Sequence, residues 1–218
     1  DEHLDIILNA AMRAPTAGNM MTYSIITVRK EETKKKLAIS CDNQPFIAKA
    51  PLILIFLADY SKWYKYYEVN GVREFQKDRG ETFAGPSAGS FVLAVQDAVI
   101  AAESLGIGSC YIGDIMEQKE YHKTLFNLPE YVFPVAMLTL GYYPEDYMVP
   151  LKERFAEKYV VFEERYNELS KEDIDDMFRK RDQLFTAKNK YNAKNYAQMH
   201  YNFKVKAPFS KEMQRSVE

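Results

Sequence analysis

The stretch Leu52-Ile-Leu-Ile-Phe-Leu-Ala58 carries no polar residue on either of its alternating sets of positions. A strand with one wet face alternates. A short run apolar on both faces belongs in the middle of a sheet that is covered on both sides. The rest of the chain must therefore supply neighbouring strands and two covering layers. Tyr23-Ser-Ile-Ile-Thr-Val28 reads as one further strand, and Phe133 to Leu140, ended by Gly141, as another. Leu4, Ile7, Leu8, Ala11 and Met12 fall on one helical face, and Pro15 stops that helix. Glu31 to Ser40 reads as a charged surface helix with few apolar contacts. The segment Phe91 to Leu105 is apolar nearly all round, interrupted at Gln96, Asp97 and Glu103. Such a helix is buried from every side. It lies either inside a large domain or with one side against another subunit, and a chain of this size favours the dimer. Strands alternating with helices argue for a layered α+β or α/β domain.

A length of 218 residues with 47% hydrophobic content suits one compact domain with an appendage. A formal net charge of −2 gives no electrostatic reason to expect nucleic acid or an anionic membrane as partner. No apolar run is long enough to span a bilayer, and no basic-then-apolar leader marks secretion. Cys41 and Cys110 form no CxxC and no Cys/His ligand cluster, which predicts two reduced thiols in a cytoplasmic protein and no metal. His3, His122 and His200 each lie in a polar stretch, so all are expected on solvated surface, and no catalytic residue is nominated. The composition shifts beyond about Phe162. Ser170-Lys-Glu-Asp173 forms a capping-box pattern before Ile174, Met177, Phe178 and Phe185. The expected organisation is a main domain over 1–165 and a helical extension over 166–218. Phe209, Met213 and Val217 share a helical stripe in that extension, which is expected to embrace a dimer and help wall its pocket.

Gly106-Ile107-Gly108 follows a helix and leads into an extended stretch, the reverse of a dinucleotide fingerprint. The sequence shows no P-loop, zinc-protease helix or hydrolase elbow. What remains is a set of loops rich in backbone and small residues. "APTAGN" at 14–19 offers amides, a hydroxyl and a carboxamide. "SCYIGD" at 109–114 places Gly113 where backbone can approach something large and flat. "PLKERF" at 150–155 supplies Lys152 and Arg154, whose spacing on extended chain points both cations one way, as a phosphate or carboxylate clamp would. Each loop alone has a plainer reading: a helix stop, a tight turn, a solvated surface. Together they suit a flat heteroaromatic cofactor bearing a phosphate.

The order "AAMRAPTAGNMMTYSIITV", "QPFIAKAPLILIFLAD", "AVQDAVIAAESLGIGSCYIGDI" and "GYYPEDYMVPLKERF" resembles the FMN-dependent nitroreductase family from about Leu4 to Tyr166. The resemblance implies an α+β sandwich: a mixed, mainly antiparallel sheet flanked by helices, in an obligate homodimer with two FMN sites at the subunit interface. It implies that Pro15, Thr16, Ala17 and Asn19 reach FMN bound mainly by the other subunit, and that Gln44 hydrogen-bonds the isoalloxazine. By the same likeness Tyr111, Ile112, Gly113 and Asp114 line the ring, and Lys152 and Arg154 lie near the phosphate and ribityl chain. The activity implied is hydride transfer from NADPH or NADH through FMN to nitroaromatics, quinones or related flat acceptors, in two half-reactions sharing one pocket. Two other readings stay open at this point: other flavin chemistry on the same fold, such as flavin reduction or reductive dehalogenation, and a flavin-free binding module. Relatives carry an Arg-rich segment upstream of the first helix, whereas this sequence opens at that helix on Asp1. Met21 stands where many relatives have Gln. The aromatic segment holding Tyr60, Trp63, Tyr64, Tyr66, Tyr67, Phe75 and Phe83 reads equally as a satellite hydrophobic cluster or as a lid over the flavin.

Overall fold

A computed structural model describes residues 1–71, 84–186 and 188–217, with 84–91 described by backbone alone. Phe75, Phe83 and the side chain of Phe91 lie outside the described part. The chain divides into two compact units, one made of Asp1–Glu145 with Glu212–Glu218, the other of Asp146–Lys211. The composition shift past Phe162 falls inside the second.

The first unit is built on a sheet of four strands, β1 (Tyr23–Val28), β2 (Leu52–Asp59), β3 (Ile107–Ile112) and β4 (Val132–Tyr142), in the order β1-β2-β4-β3. Every described pairing is antiparallel. β2 is interior, as its composition requires, and all its residues after Leu52 are buried. Its alternation sorts the core into two layers. Leu54 and Phe56 face α1 (Glu2–Arg13) and α5 (Ala84–Ser104), packing with Ile7, Ala11, Ala94, Val95, Ala98 and Ala102. Ile53, Ile55 and Leu57 face the other way, toward Leu37 and Ala38 of α2 (Glu31–Ser40) and Ile47 of α3 (Pro45–Lys49). Each such fully buried side chain contributes about 1.5–3 kcal/mol by transfer from water.

β4 continues through Gly141 to Tyr142, two residues beyond the expected stop, because β3 pairs along it as far as Ile107↔Tyr142. A glycine weakens a strand without ending it when a neighbour supplies the hydrogen bonds. The register of β2 on β4 slips between Phe56, opposite Ala136, and Leu57, opposite Pro134. A bulge there accommodates Pro134, which has no N–H to donate to a ladder.

One helix departs from expectation. α2 is charged along its outside, yet it buries Leu37 and Ala38, and it also buries Lys34, whose ammonium donates to the Ala50 carbonyl at 2.8 Å. α5 buries Ala94, Val95, Ala98 and Ala102 but leaves Val92, Leu93 and Ile100 exposed in the single chain. Its apolar girth is therefore only partly covered within this chain. α4 (Ser61–Val69) follows β2, and α6 (Lys119–Phe126) lies between β3 and β4.

The second unit holds α7 (Lys171–Asp182), α8 (Tyr196–Lys204) and the start of α9 (Pro208–Val217). α7 begins with the expected capping box: Asp173 N–H donates to Ser170 Oγ at 3.1 Å, and Ser170 N–H donates to Asp173 Oδ2 at 3.0 Å. Arg181 stacks over Phe155 at 3.9 Å and Phe155 meets Phe178 edge-on, which ties the loop before α7 to the helix. From Glu212 onward α9 belongs to the first unit.

Candidate functional site

The loop after α1 is a short 3-10 turn over Ala17–Asn19. Gly18 and Asn19 both adopt positive φ, 58° and 52°, and Met21 follows at 47°. A left-handed Met is uncommon. It is held from both sides, since its N–H donates to Thr16 Oγ1 at 3.1 Å and its carbonyl accepts from Tyr23 N–H at 2.8 Å. The leading amides of such a turn have no intrahelical acceptor and stay available to a ligand. The loop is also tied to the aromatic segment, because Trp63 Nε1 donates to the Met20 carbonyl at 2.7 Å. Trp63 meets Tyr66 and Tyr67 at 6.0 and 5.8 Å, and Tyr64 lies 4.2 Å from Tyr131. The described aromatics thus pack on one another and brace the loop.

A second group gathers where β3 ends. Tyr111 and Ile112 close the strand, and Gly113 and Asp114 open the next 3-10 turn. Tyr111 is about half exposed, and its hydroxyl donates to Gln96 Oε1 of α5 at 3.3 Å. Gly113 is exposed, and a Cβ added there would meet only the Met116 methyl, at 3.9 Å. Its backbone is open to a ligand. Gln44, which precedes α3, reaches this turn: its Nε2 donates to Asp114 Oδ2 at 2.7 Å and to the Cys41 carbonyl at 2.9 Å. An ionised carboxylate only accepts, so the Gln44 amide must present its NH2 there, leaving Oε1 as an acceptor.

Lys152 and Arg154 lie in the second unit, on an exposed irregular segment where Arg154 donates to the Lys152 carbonyl at 3.1 Å. The structure therefore joins Gln44 directly to Asp114 and places Tyr111, Ile112 and Gly113 beside them. Among the described residues no hydrogen bond links that group to Pro15, Thr16, Ala17 or Asn19.

His122 departs from expectation. It is fully buried on α6, its Nε2 lies 2.8 Å from Ser40 Oγ, and burial lowers its pKa, favouring the neutral imidazole. Its neighbours in sequence are polar, but Ser40 reaches it from another helix, and no local pattern announces that. Cys41 is buried beside this pair, and desolvation pushes its thiol up to about 12, while Cys110 is an exposed thiol. Both cysteines are free, as expected. No helix among the described residues is long and apolar enough to cross a membrane.

The donor set suits the flavin that the resemblance implies. Within the first unit Gln44 leaves Oε1 as an acceptor for a ring N–H, Gly113 leaves its backbone approachable, and the 16–19 turn offers amides.

Known proteins resemble the chain in sequence and fold. The family described as the nitroreductase family matches residues 1–142. FMN reductase [NAD(P)H] of Bacillus subtilis is 32% identical over 76% of this chain and 66% of its own length. The chain thus spans just under two-thirds of that relative. Among solved structures, B. megaterium NfrA2 superposes with a TM-score of 0.82 at 32% identity, covering 99% of this chain and 88% of that one. The NADPH:FMN oxidoreductase from Vibrio harveyi complexed with NAD+ superposes at 0.78 and 25% identity, covering 100% and 87%. With its α+β sandwich and the family's match over most of its length, the chain belongs to the nitroreductase family.

Proposed function

We propose that this protein is an FMN-dependent NAD(P)H oxidoreductase that reduces nitroaromatics, quinones or related flat acceptors. The observation that carries the reading is the Gln44–Asp114 pair at the Gly113 turn, where an oriented carboxamide and an open backbone converge. Bound FMN would supply the redox chemistry, accepting hydride from a nicotinamide and passing it to the acceptor. The protein's own tasks are positional. Gln44 Oε1 accepts from the ring and fixes its in-plane orientation. Tyr111, Ile112 and Gly113 form the edge against which the ring lies. Pro15, Thr16, Ala17 and Asn19 contribute from the other subunit, and Lys152 and Arg154 neutralise the phosphate. Holding the two reacting rings together lowers the barrier chiefly through proximity. No side chain is assigned as a catalytic acid or base.

The homodimer is supported by Val92, Leu93 and Ile100 on α5 and by Ile6 and Met12 on α1, all exposed apolar side chains in the single chain. NADPH and NADH are both retained as donors, since one relative is named for NAD(P)H and others for NADPH. Free flavin joins the acceptor class because relatives are named FMN reductases. The two free thiols support a cytoplasmic location.

The test is the visible absorption spectrum of the purified protein, recorded anaerobically after NADPH and then NADH. A flavin band that bleaches with either donor supports the proposal. A colourless protein that stays flavin-free after incubation with FMN overturns it.

A further inference from the structure

Three carboxylates meet beside the Gly113 turn. One oxygen from each of Asp42, Asp114 and Glu117 lies within 4.8 Å of the other two. Asp42 comes from the turn after α2, while Asp114 and Glu117 come from the turn after β3, so two separate segments deliver like charges to one place. Among the described residues neither Asp114 nor Glu117 forms an ion pair with a lysine or arginine. Glu117 is only 2% exposed, and its Oε1 is buried with no hydrogen-bond partner among the described residues. A buried carboxylate oxygen without a donor is costly and needs an explanation.

We propose that Asp42, Asp114 and Glu117 bind a divalent cation of the hard, oxygen-preferring class, with Ca2+ favoured over Mg2+. The ligands are all carboxylates, which suit such ions. Among the described residues no thiol or imidazole joins the three clustered ligand atoms, so the site offers no soft ligand for zinc. Three carboxylates brought from two turns form an irregular oxygen set that Ca2+ accepts, whereas Mg2+ demands near-ideal octahedral geometry. Asp114 is already oriented for the role, because Gln44 Nε2 holds its Oδ2 at 2.7 Å. The cation would clamp the 41–44 turn onto the 113–117 turn and so stiffen the segment that carries Gln44. Cation binding here does not depend on the flavin reading.

The experiment is calorimetric titration of the chelator-stripped, FMN-free full chain with CaCl2 and separately with MgCl2, paired with thermal unfolding in each salt. The expected result is one saturable Ca2+ site with an affinity on the order of micromolar to millimolar, weaker binding of Mg2+, and a rise in Tm that follows site occupancy. Glu117→Gln should abolish the Ca2+ response. Asp42→Asn, at an exposed position that tolerates substitution, should weaken it at least about tenfold. Glu168→Gln, in the second unit, should leave it unchanged. No heat and no Tm shift at about 10 mM Ca2+ overturns the proposal, as does wild-type affinity in Asp42→Asn. Because the titration contains no FMN, its failure leaves the absorption test of the flavin untouched, and the reverse holds equally.

Discussion

Gln44 Nε2 donates to Asp114 Oδ2 at 2.7 Å, joining residues 70 positions apart. The bond fixes which end of the Gln44 amide faces outward, since the carboxylate can only accept. Gln44→Ala should weaken FMN binding by about 2–10-fold, the value of one neutral hydrogen bond. Asp114→Ala should produce a smaller loss, because it frees the amide to turn without removing it. Fluorescence titration with FMN reads both. If Gln44→Ala binds FMN as wild type does, the ring is oriented by something else.

Gly108 sits under the ring of Tyr143. A Cβ placed there would lie 2.4 Å from Tyr143 Cζ, far inside contact distance. Tyr143 is anchored at the same edge, where its hydroxyl, 2.7 Å from that Cβ position, donates to Glu103 Oε1 at 3.2 Å. Gly108→Ala should therefore cost about 1–3 kcal/mol through overpacking. Adding Tyr143→Ala should recover part of that loss, since the two positions share one space. Denaturant midpoints of the two single variants and the double variant give the coupling, and strict additivity would show that the ring moves aside freely.

The two thiols should behave differently. Cys41 is buried with its pKa pushed up to about 12, so almost no thiolate exists near neutral pH. Cys110 is exposed on β3. An aromatic disulfide reagent should modify one thiol per native chain at once and the second only in denaturant. Rapid modification of both would mean that the layer over Cys41 opens readily.

The parts of this fold legible in sequence are those set by local periodicity. β1 and α2 occupy the bounds their patterns predict, and the double-sided run at Leu52–Ala58 is the interior strand. The loops at 14–19, 109–114 and 150–155 stood out because small residues and paired cations are unusual there. What stayed hidden depends on partners distant in the chain. His122 is buried because Ser40 meets it across 82 positions, and β4 passes Gly141 because β3 pairs with it. Likewise, the Asp42–Asp114–Glu117 cluster needs two turns brought together, and no spacing within either turn encodes it.

The end of α9 is attached to the turn before α6 by a charged fork and a buried hydroxyl. Arg215 reaches Glu120 with two nitrogens at 2.9 and 3.1 Å, and Glu212 Oε1 accepts from Gln118 N–H at 3.0 Å. Ser216 is fully buried, donating to the Met116 carbonyl at 2.5 Å and accepting from Lys119 N–H at 3.0 Å. Hydrogen bonds from Arg215 hold the Glu120 carboxyl down to about 2. The attached state therefore binds fewer protons than the released one between the ordinary value of 4.5 and about 2. The charged contribution is complete above the ordinary value and is lost as pH falls through the depressed one. Both charges are solvent-exposed, so salt should weaken the fork. The hydroxyl carries no charge, and Ser216→Ala should cost about 1–3 kcal/mol at any pH by leaving buried backbone groups unpaired. The Met213 methyl resonance, followed by NMR from pH 7 to about pH 2.5, should move with a midpoint below 4.5, and Glu120→Gln should remove that step while Ser216→Ala keeps it. A midpoint at the ordinary carboxylate value would show that Arg215 does not hold Glu120 in solution and that the hydroxyl alone secures the helix.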